Sequence, residues 1–243
     1  KEAFRYVILF SSFIVFLTGF IVLFFMERNK KENLENIIVL NSYSNIKKVL
    51  KIESVWLIMI IIISAYIGYK VTDIYSLYAS EVMLFNQIEA ANIGSLQLYL
   101  RPLVCLIVAM VADKSSYIRM ITIGFSTMMI GSSLFAFGIV QLIMNFIFYF
   151  SLLIVATGTY SIRALYFSIM QEGRIPLILT GTAVGLISVV GYTPDIFATP
   201  MIGYLLDNYP GILGHQYVFT ILVVFSVFGL MASIKFATLK KFK

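Results

Sequence analysis

Arg101 lies in QLYLRPLVCLIV and Arg163 in GTYSIRALYF, two guanidinium groups inside otherwise apolar stretches. Ionisable side chains at membrane depth are costly, so each needs a partner, a solute or a path to water. Gln97 precedes Arg101 by one helical turn, and Pro102 follows it, freeing a backbone carbonyl and bending the helix around a cavity. Arg101 therefore contacts a solute, pairs with an acidic residue that holds a bundle together, or snorkels to the outer surface. Tyr160 shares a helical face with Arg163, where snorkelling towards the nearer, cytoplasmic end is the stronger rival. Tyr66, Lys70 and Asp73 recur at spacings of four and three and form one polar stripe on the outward half of their helix. On the simplest account Lys70 and Asp73 neutralise each other, while Glu81 and Glu89 are wetted in an outer connection.

The stretch VVGYTPDIFATP adds Gly191, Pro194, Asp195 and Pro200. Glycine and two prolines predict a discontinuous or strongly bent helix, which a membrane tolerates only where it is buried in protein or lines a cavity. Asp195 beside that break either pairs with a basic residue on another helix in one conformation and releases it in the next, or caps the reformed helix together with Thr193. The first alternative makes the break a gate.

Covalent catalysis is not what these residues offer. His215 is the only histidine and Cys105 the only cysteine, so neither a histidine cluster nor an internal disulfide can form. No zinc spacing, phosphate-binding glycine loop or triad pattern occurs, and we expect no enzyme, no metal and no cofactor. The net charge of +6 does not imply nucleic acid, because the positive residues lie between apolar blocks and not on a polar domain.

The elements that must position these groups follow from the composition. Of 243 residues 60% are hydrophobic and 12% charged, with a mean hydropathy of +0.94. That is an integral membrane protein, all-α, with the lipid bilayer as its solvent. Seven apolar segments, roughly 6–26, 54–74, 94–112, 119–140, 144–168, 177–206 and 217–236, are each about long enough to cross a bilayer. Arg28, Lys30, Lys31, Lys47, Lys48 and Lys51 follow the first, Lys114 and Arg119 the third, Arg174 the fifth, and Lys235, Lys240, Lys241 and Lys243 the last. The intervening connections 75–93, 141–143 and 207–216 carry no lysine or arginine. The basic connections and the C-terminus therefore face the cytoplasm, against only Lys1 and Arg5. Residues 27–53 form one long basic connector, either a tether or the seat of a short interfacial helix, and place a domain boundary near residue 50.

Two patterns bear on how such a bundle works. Gly124, Gly131 and Gly138 recur every seven residues, and Gly181 and Gly185 form a G-x-x-x-G pair, so helices can pack closely and slide. Ala109-x-x-x-Asp113 ends the third span and Gly203-x-x-x-Asp207 the sixth, with Arg101 and Asp195 each twelve residues earlier. An echo three spans later, in inverted orientation, has the form of an inverted three-helix repeat.

Residues 95–119 and 160–215, and the topology of the whole chain, resemble the C-terminal half of a major facilitator superfamily transporter. The signature between the second and third helices of a half is matched at Asp113 and Lys114, with Ala109 and Ser116 at its glycine positions and Arg119 as a late basic residue. The stretch EGRIPLILTGTAVGLISVVGYTPDIFATPMIGYLLD is similar to a subgroup of bacterial sugar- or organic-anion-like carriers. The resemblance implies that 1–26 is the last helix of an N-terminal bundle and 27–53 the central cytoplasmic loop. It makes 54–237 a six-helix transport bundle and 238–243 a cytoplasmic tail. It implies a gating role for Asp113 with Lys114, rocker-switch alternating access with coupling to protons as an option, and a missing N-terminal half as partner. The chain begins at Lys1 and not methionine, and we read it as part of a longer gene product in a bacterial inner membrane.

The expected function is secondary active transport of a small polar solute: an organic anion, a sugar or a sugar phosphate. Substrate-binding candidates are Arg101, Gln97, Tyr66, Lys70, Tyr160 and Arg163. Gating candidates are Asp113, Lys114, Gly191, Pro194, Asp195 and Pro200. Two arginines with few buried carboxylates favour an anion, whereas Tyr66, Tyr69, Tyr99, Tyr160 and Tyr192 equally suit a sugar. The alternative is a non-transporting receptor or structural bundle, in which Arg101 serves stability alone.

Overall fold

A computed structural model describes residues 2–25, 42–140 and 145–241, and among these every regular element is an α-helix. Seven helical stretches are long and apolar enough to cross a membrane, in agreement with the seven apolar segments of the sequence. The chain divides into two compact units, Lys1–Leu40 and Asn41–Lys243. The first unit holds α1 (Glu2–Phe25), whose described side chains are all exposed and include a ladder of Phe16, Phe20 and Phe24 rings. Such an all-round apolar helix has lipid as its natural surroundings.

The second unit opens with the short helix α2 (Ser42–Val49), which ends on Lys47 and Lys48. It occupies the last part of the basic connector, whose residues 27–41 lie outside the described residues. The third span is α5 (Gln87–Ala112), the fourth α6 (Tyr117–Ala136), and the last α11 (Ile212–Lys241). The helix of α11 therefore runs through most of the expected tail 238–243. The expected connection 141–143 also lies outside the described residues.

Three tight steps join consecutive helices. In the second span α3 (Glu53–Thr72) passes to α4 (Tyr75–Glu81) through Asp73 and Ile74, both in the right-handed helical region. Their amides reach back three residues, to Lys70 and Val71, so the helix tightens without turning back. The fifth span continues from α7 (Asn145–Leu165) to α8 (Ile169–Glu172) in the same manner, with Ser168 helical. In the sixth, α9 (Leu177–Gly191) passes to α10 (Pro194–Asn208) through Tyr192 and Thr193. The strong break expected over this span is a single tight step; Pro194 occupies the first turn of α10, where its missing N–H is harmless, and Pro200 lies inside the helix.

The stripe of Tyr66 and Lys70 lies in the last two turns of Glu53–Thr72, the half of the span in which it was expected. Arg163 lies in the last turn of α7, near the end of its span, as expected. Arg101 is mid-helix because α5 starts at Gln87, earlier than the apolar segment. Its start is fixed by a capping box: Asn86 accepts from the Glu89 amide at 2.9 Å, and Glu89 accepts from the Asn86 amide at 3.0 Å. Glu89 is thus a helix cap and not merely a wetted loop carboxylate.

Packing centres on α3, with 72% of its apolar window buried, and on α6, which lies against both α7 and α11. Glycine sets the closest crossing. A Cβ on Gly158 would come within 2.6 Å of the Gly124 carbonyl oxygen, and one on Gly131 within 2.6 Å of Val155. The expected smooth face on α6 therefore exists and meets α7. Its third member, Gly138, stands beyond the helix at φ +65. Gly181 and Gly185 on α9 meet no neighbour among the described residues, so that pair makes no close crossing here.

The two ends of the unit are clasped differently. At the Glu53 end, Glu53 bonds Lys235 at 2.7 Å and Ser54 donates to the Gly173 carbonyl at 2.9 Å. Glu172 accepts from the Tyr117 amide at 3.2 Å and caps α6. At the Glu81 end, Tyr75, Tyr78, Phe135, Phe148 and Phe219 form an aromatic cluster. The fully buried His215 approaches Glu81 at 3.0 Å beside Tyr78, so Glu81, exposed as expected, is also a partner across helices.

Candidate functional site

Four spans bring one polar cluster together in the middle of the second unit. From α3 come Tyr66, Tyr69 and Lys70, adjacent turns of one face. From α5 come Gln97 and Arg101, one turn apart, and from α7 Tyr160 and Arg163. The step between α9 and α10 supplies Tyr192 and Asp195. Gly191 permits this approach: a Cβ there would overlap Ile62 of α3, so only glycine lets α9 lie so close.

Asp195 is the hub of one half of the cluster. Its carboxylate takes Lys70 Nζ at 2.6 Å and the Tyr66 hydroxyl at 2.8 Å. The two simpler accounts of these residues do not hold. Lys70 pairs across to α10 and not with Asp73 in its own helix, because the Asp195 carboxylate is brought directly opposite. Asp195 and Thr193 do not cap α10 with their side chains, since Thr193 Oγ1 donates to the Val190 carbonyl at 2.7 Å. The pair is a tether between two spans, with Asp195 still 49% exposed.

The other half is cationic. The Arg163 guanidinium carbon lies 3.8 Å from the Tyr69 ring centroid and 5.5 Å from that of Tyr66. Arg101 lies 4.8 Å from the Tyr69 centroid and 5.5 Å from that of Tyr160, and its Nη1 donates to the Tyr69 hydroxyl at 3.3 Å. Each such cation–π contact is worth about 0.5–2 kcal/mol, depending on desolvation. Tyr160 donates to Gln97 Oε1 at 2.9 Å, which fixes the amide beside Arg101. Among the described residues neither arginine forms a salt bridge. The acidic partner that was one alternative for Arg101 therefore does not bridge to it among the described residues.

Two further groups stand at the edge. Asp73 lies within electrostatic reach of Lys70, Arg101 and Arg163, yet it forms no salt bridge with any of them. The Tyr166 hydroxyl meets that of Tyr192 at 3.3 Å, beside the step between α9 and α10. A cavity of about 620 Å³ lies elsewhere, between α6 and α11, lined by residues such as Ile118, Thr122, Ile234 and Ala237. Arg119 is the one charged residue in that lining, so size does not make it the site.

All six substrate-binding candidates of the sequence meet in this cluster, as do Gly191, Pro194 and Asp195 at its rim. Asp113, Lys114 and Pro200 do not: Asp113 and Lys114 are exposed where α5 ends, and Pro200 is exposed within α10. Tyr69 is not among those candidates although both arginines use its ring; its signal is its place three residues after Tyr66 and four before Asp73. Tyr99, weighed as a sugar contact, is 78% exposed and stands apart. The Glu81–His215 pair has no local signal, since it joins residues 134 positions apart.

Two curated proteins of Escherichia coli (strain K12) are similar to parts of this chain. Inner membrane protein YihN is 39% identical over 72 residues, which is 30% of this chain and 17% of YihN. Inner membrane protein YqcE is 39% identical over 59 residues, 24% of this chain and 14% of YqcE. The matched stretches are thus less than a fifth of either relative. No family model matches the chain, and no solved structure matches it. With seven helices of membrane length, the chain is a polytopic membrane protein.

Proposed function

We propose that the chain is the working part of a secondary carrier for a small polar solute in a bacterial inner membrane. The observation that carries this reading is the meeting of Lys70, Arg101, Arg163 and Asp195 from four different spans. Such charges are expensive in a bilayer and typically mark a solute or ion path. The names of the two relatives supply the membrane, and the likeness to the major facilitator superfamily supplies the manner of working. In that manner a six-helix unit rocks against a second half contributed by more of the same protein, and the basic connections and C-terminus face the cytoplasm. The Lys70–Asp195 tether between α3 and α10 would close on one side and open on the other, with Asp113 and Lys114 gating the cytoplasmic end. Proton coupling would draw on Asp73, the carboxylate beside the cluster that holds no cation of its own.

A second reading has its own observation. The Arg163 guanidinium carbon is 3.8 Å from the Tyr69 ring centroid, as it would be if it only glued helices together in a receptor or structural bundle. Uptake by the complete gene product in proteoliposomes separates the two. Saturable uptake of any member of a panel of carboxylates, sugar phosphates and neutral sugars upholds the carrier. No uptake by verified, folded protein, with and without an inward proton gradient, sinks it.

A further inference from the structure

We infer that the cluster binds an oxyanion, a carboxylate, phosphate or sulfonate group of the solute, between Arg101 and Arg163. This deepens the carrier reading and rests on it for the word solute, but its own observation is the direction of the unmade hydrogen bonds. Arg101 Nε, Arg163 Nη1 and Gln97 Nε2 are buried and have no partner. All three are donors, and a guanidinium has no acceptor to offer. Gln97 Oε1, the acceptor on the same side chain, is already taken by Tyr160. A buried donor left unmade is costly, so the arrangement is completed by a group that only accepts.

A neutral sugar fits this demand poorly, because each hydroxyl brings a donor with its acceptor. The carboxylates of the cluster do not meet it from within. Asp195 is committed to Lys70 and Tyr66, and Asp73 bridges to neither arginine. Lys70 is therefore neutralised, whereas Arg101 and Arg163 keep their charge for a ligand. Tyr69 holds both guanidinium groups against one ring, which restrains their forks before anything binds. The cations reach the site from different spans, so an oxyanion bridging them would draw α5 and α7 onto α3.

Cys105 gives a test that needs no substitution. It lies one turn beyond Arg101, half-buried, with its Sγ 3.8 Å from the Tyr160 carbonyl oxygen. Maleimide labelling of the complete, purified protein, mapped to Cys105, is followed with matched probes: glucose 6-phosphate against glucose, and succinate against succinamide. We expect the charged member of at least one pair to slow labelling while its neutral mate does not. We expect Arg101→Gln to weaken that protection about tenfold to a hundredfold, the usual loss for one charge-assisted hydrogen bond. Equal protection by the neutral mates, or protection by none of the probes, overturns the inference. Uptake in vesicles, read in parallel, keeps the two ideas apart. Protection by an oxyanion without its uptake upholds the site and counts against carriage. Uptake of glucose without oxyanion protection upholds carriage and overturns the site.

Discussion

Each residue of the cluster is defined by what its partners leave unmet. Lys70 is satisfied by Asp195, whereas Arg163 lies on tyrosine rings and keeps a buried donor. Arg163→Gln should therefore reduce binding of an anionic probe about tenfold or more, since a hydrogen bond to a charged group is worth about 1.5–3 kcal/mol. Arg163→Lys should recover only part, because an ammonium keeps the charge but not the fork. Isothermal titration with the probe checks both, and full affinity in Arg163→Gln would remove Arg163 from the site. The tether answers to a different test. Asp195→Asn leaves the Lys70 ammonium without its counter-charge, and that variant should melt below the native protein. Lys70→Gln added to it removes the stranded charge and should restore part of the loss. Melting curves of the two single variants and the double variant decide it, and strictly additive effects would mean that the pair is not coupled.

Among the elements, the contact between α9 and α3 decides whether Asp195 reaches Lys70. Gly191 has no room for a methyl against Ile62, while Gly185, less than two turns earlier, meets nothing. Gly191→Ala should cost about 1–3 kcal/mol of stability through overpacking. It should also free Lys70 for chemical modification by pushing α10 outward. Gly185→Ala should do neither, being an exposed helical position. Melting curves and lysine labelling of the two variants in detergent read the difference, and equal behaviour would mean that α9 is not held by this crossing. The same geometry explains why the prolines of VVGYTPDIFATP do so little damage. Pro194 falls in the first turn after the step, where no intrahelical bond is lost.

For the molecule, the question is which parts move together. The unit Asn41–Lys243 is clasped at one end by Glu53–Lys235 and Ser54–Gly173, and at the other by Glu81–His215 and its aromatic cluster. A unit so held should rock as one body. A Cβ on Gly173 would lie 3.4 Å from Ser54 Oγ, so Ser54→Cys with Gly173→Cys is placed to form a disulfide. Oxidation of that pair should raise the melting temperature and leave uptake by the complete protein unchanged. Uptake that stops on oxidation and returns on reduction would show instead that α3 and the connection after α8 move apart during the cycle.

Much of this is legible in the sequence, because the bilayer imposes a one-dimensional rule. A backbone in lipid must bond within its own segment, so apolar length alone marks seven helices, and a charge inside one announces itself. That is why Arg101, Arg163, Lys70 and Asp195 are conspicuous as residue types in their segments. The start of α5 is also encoded, in Asn86 and Glu89, but this capping box precedes the apolar run and escapes a reading by hydropathy. What sequence alone does not decide is which charge meets which. Lys70 has Asp73 one turn away and Asp195 at a distance of 125 positions, and local spacing favours the nearer partner. The tertiary structure reverses that choice, because Gly191 brings α9 against α3 and sets the Asp195 carboxylate 2.6 Å from the ammonium. Whether a helix ends at Thr72 or continues through Asp73 and Ile74 depends on packing of Tyr75 and Tyr78 among Phe135, Phe148 and Phe219, residues that only the fold brings together. Apolar length and isolated charge are properties of a segment; pairing is a property of the contacts between segments.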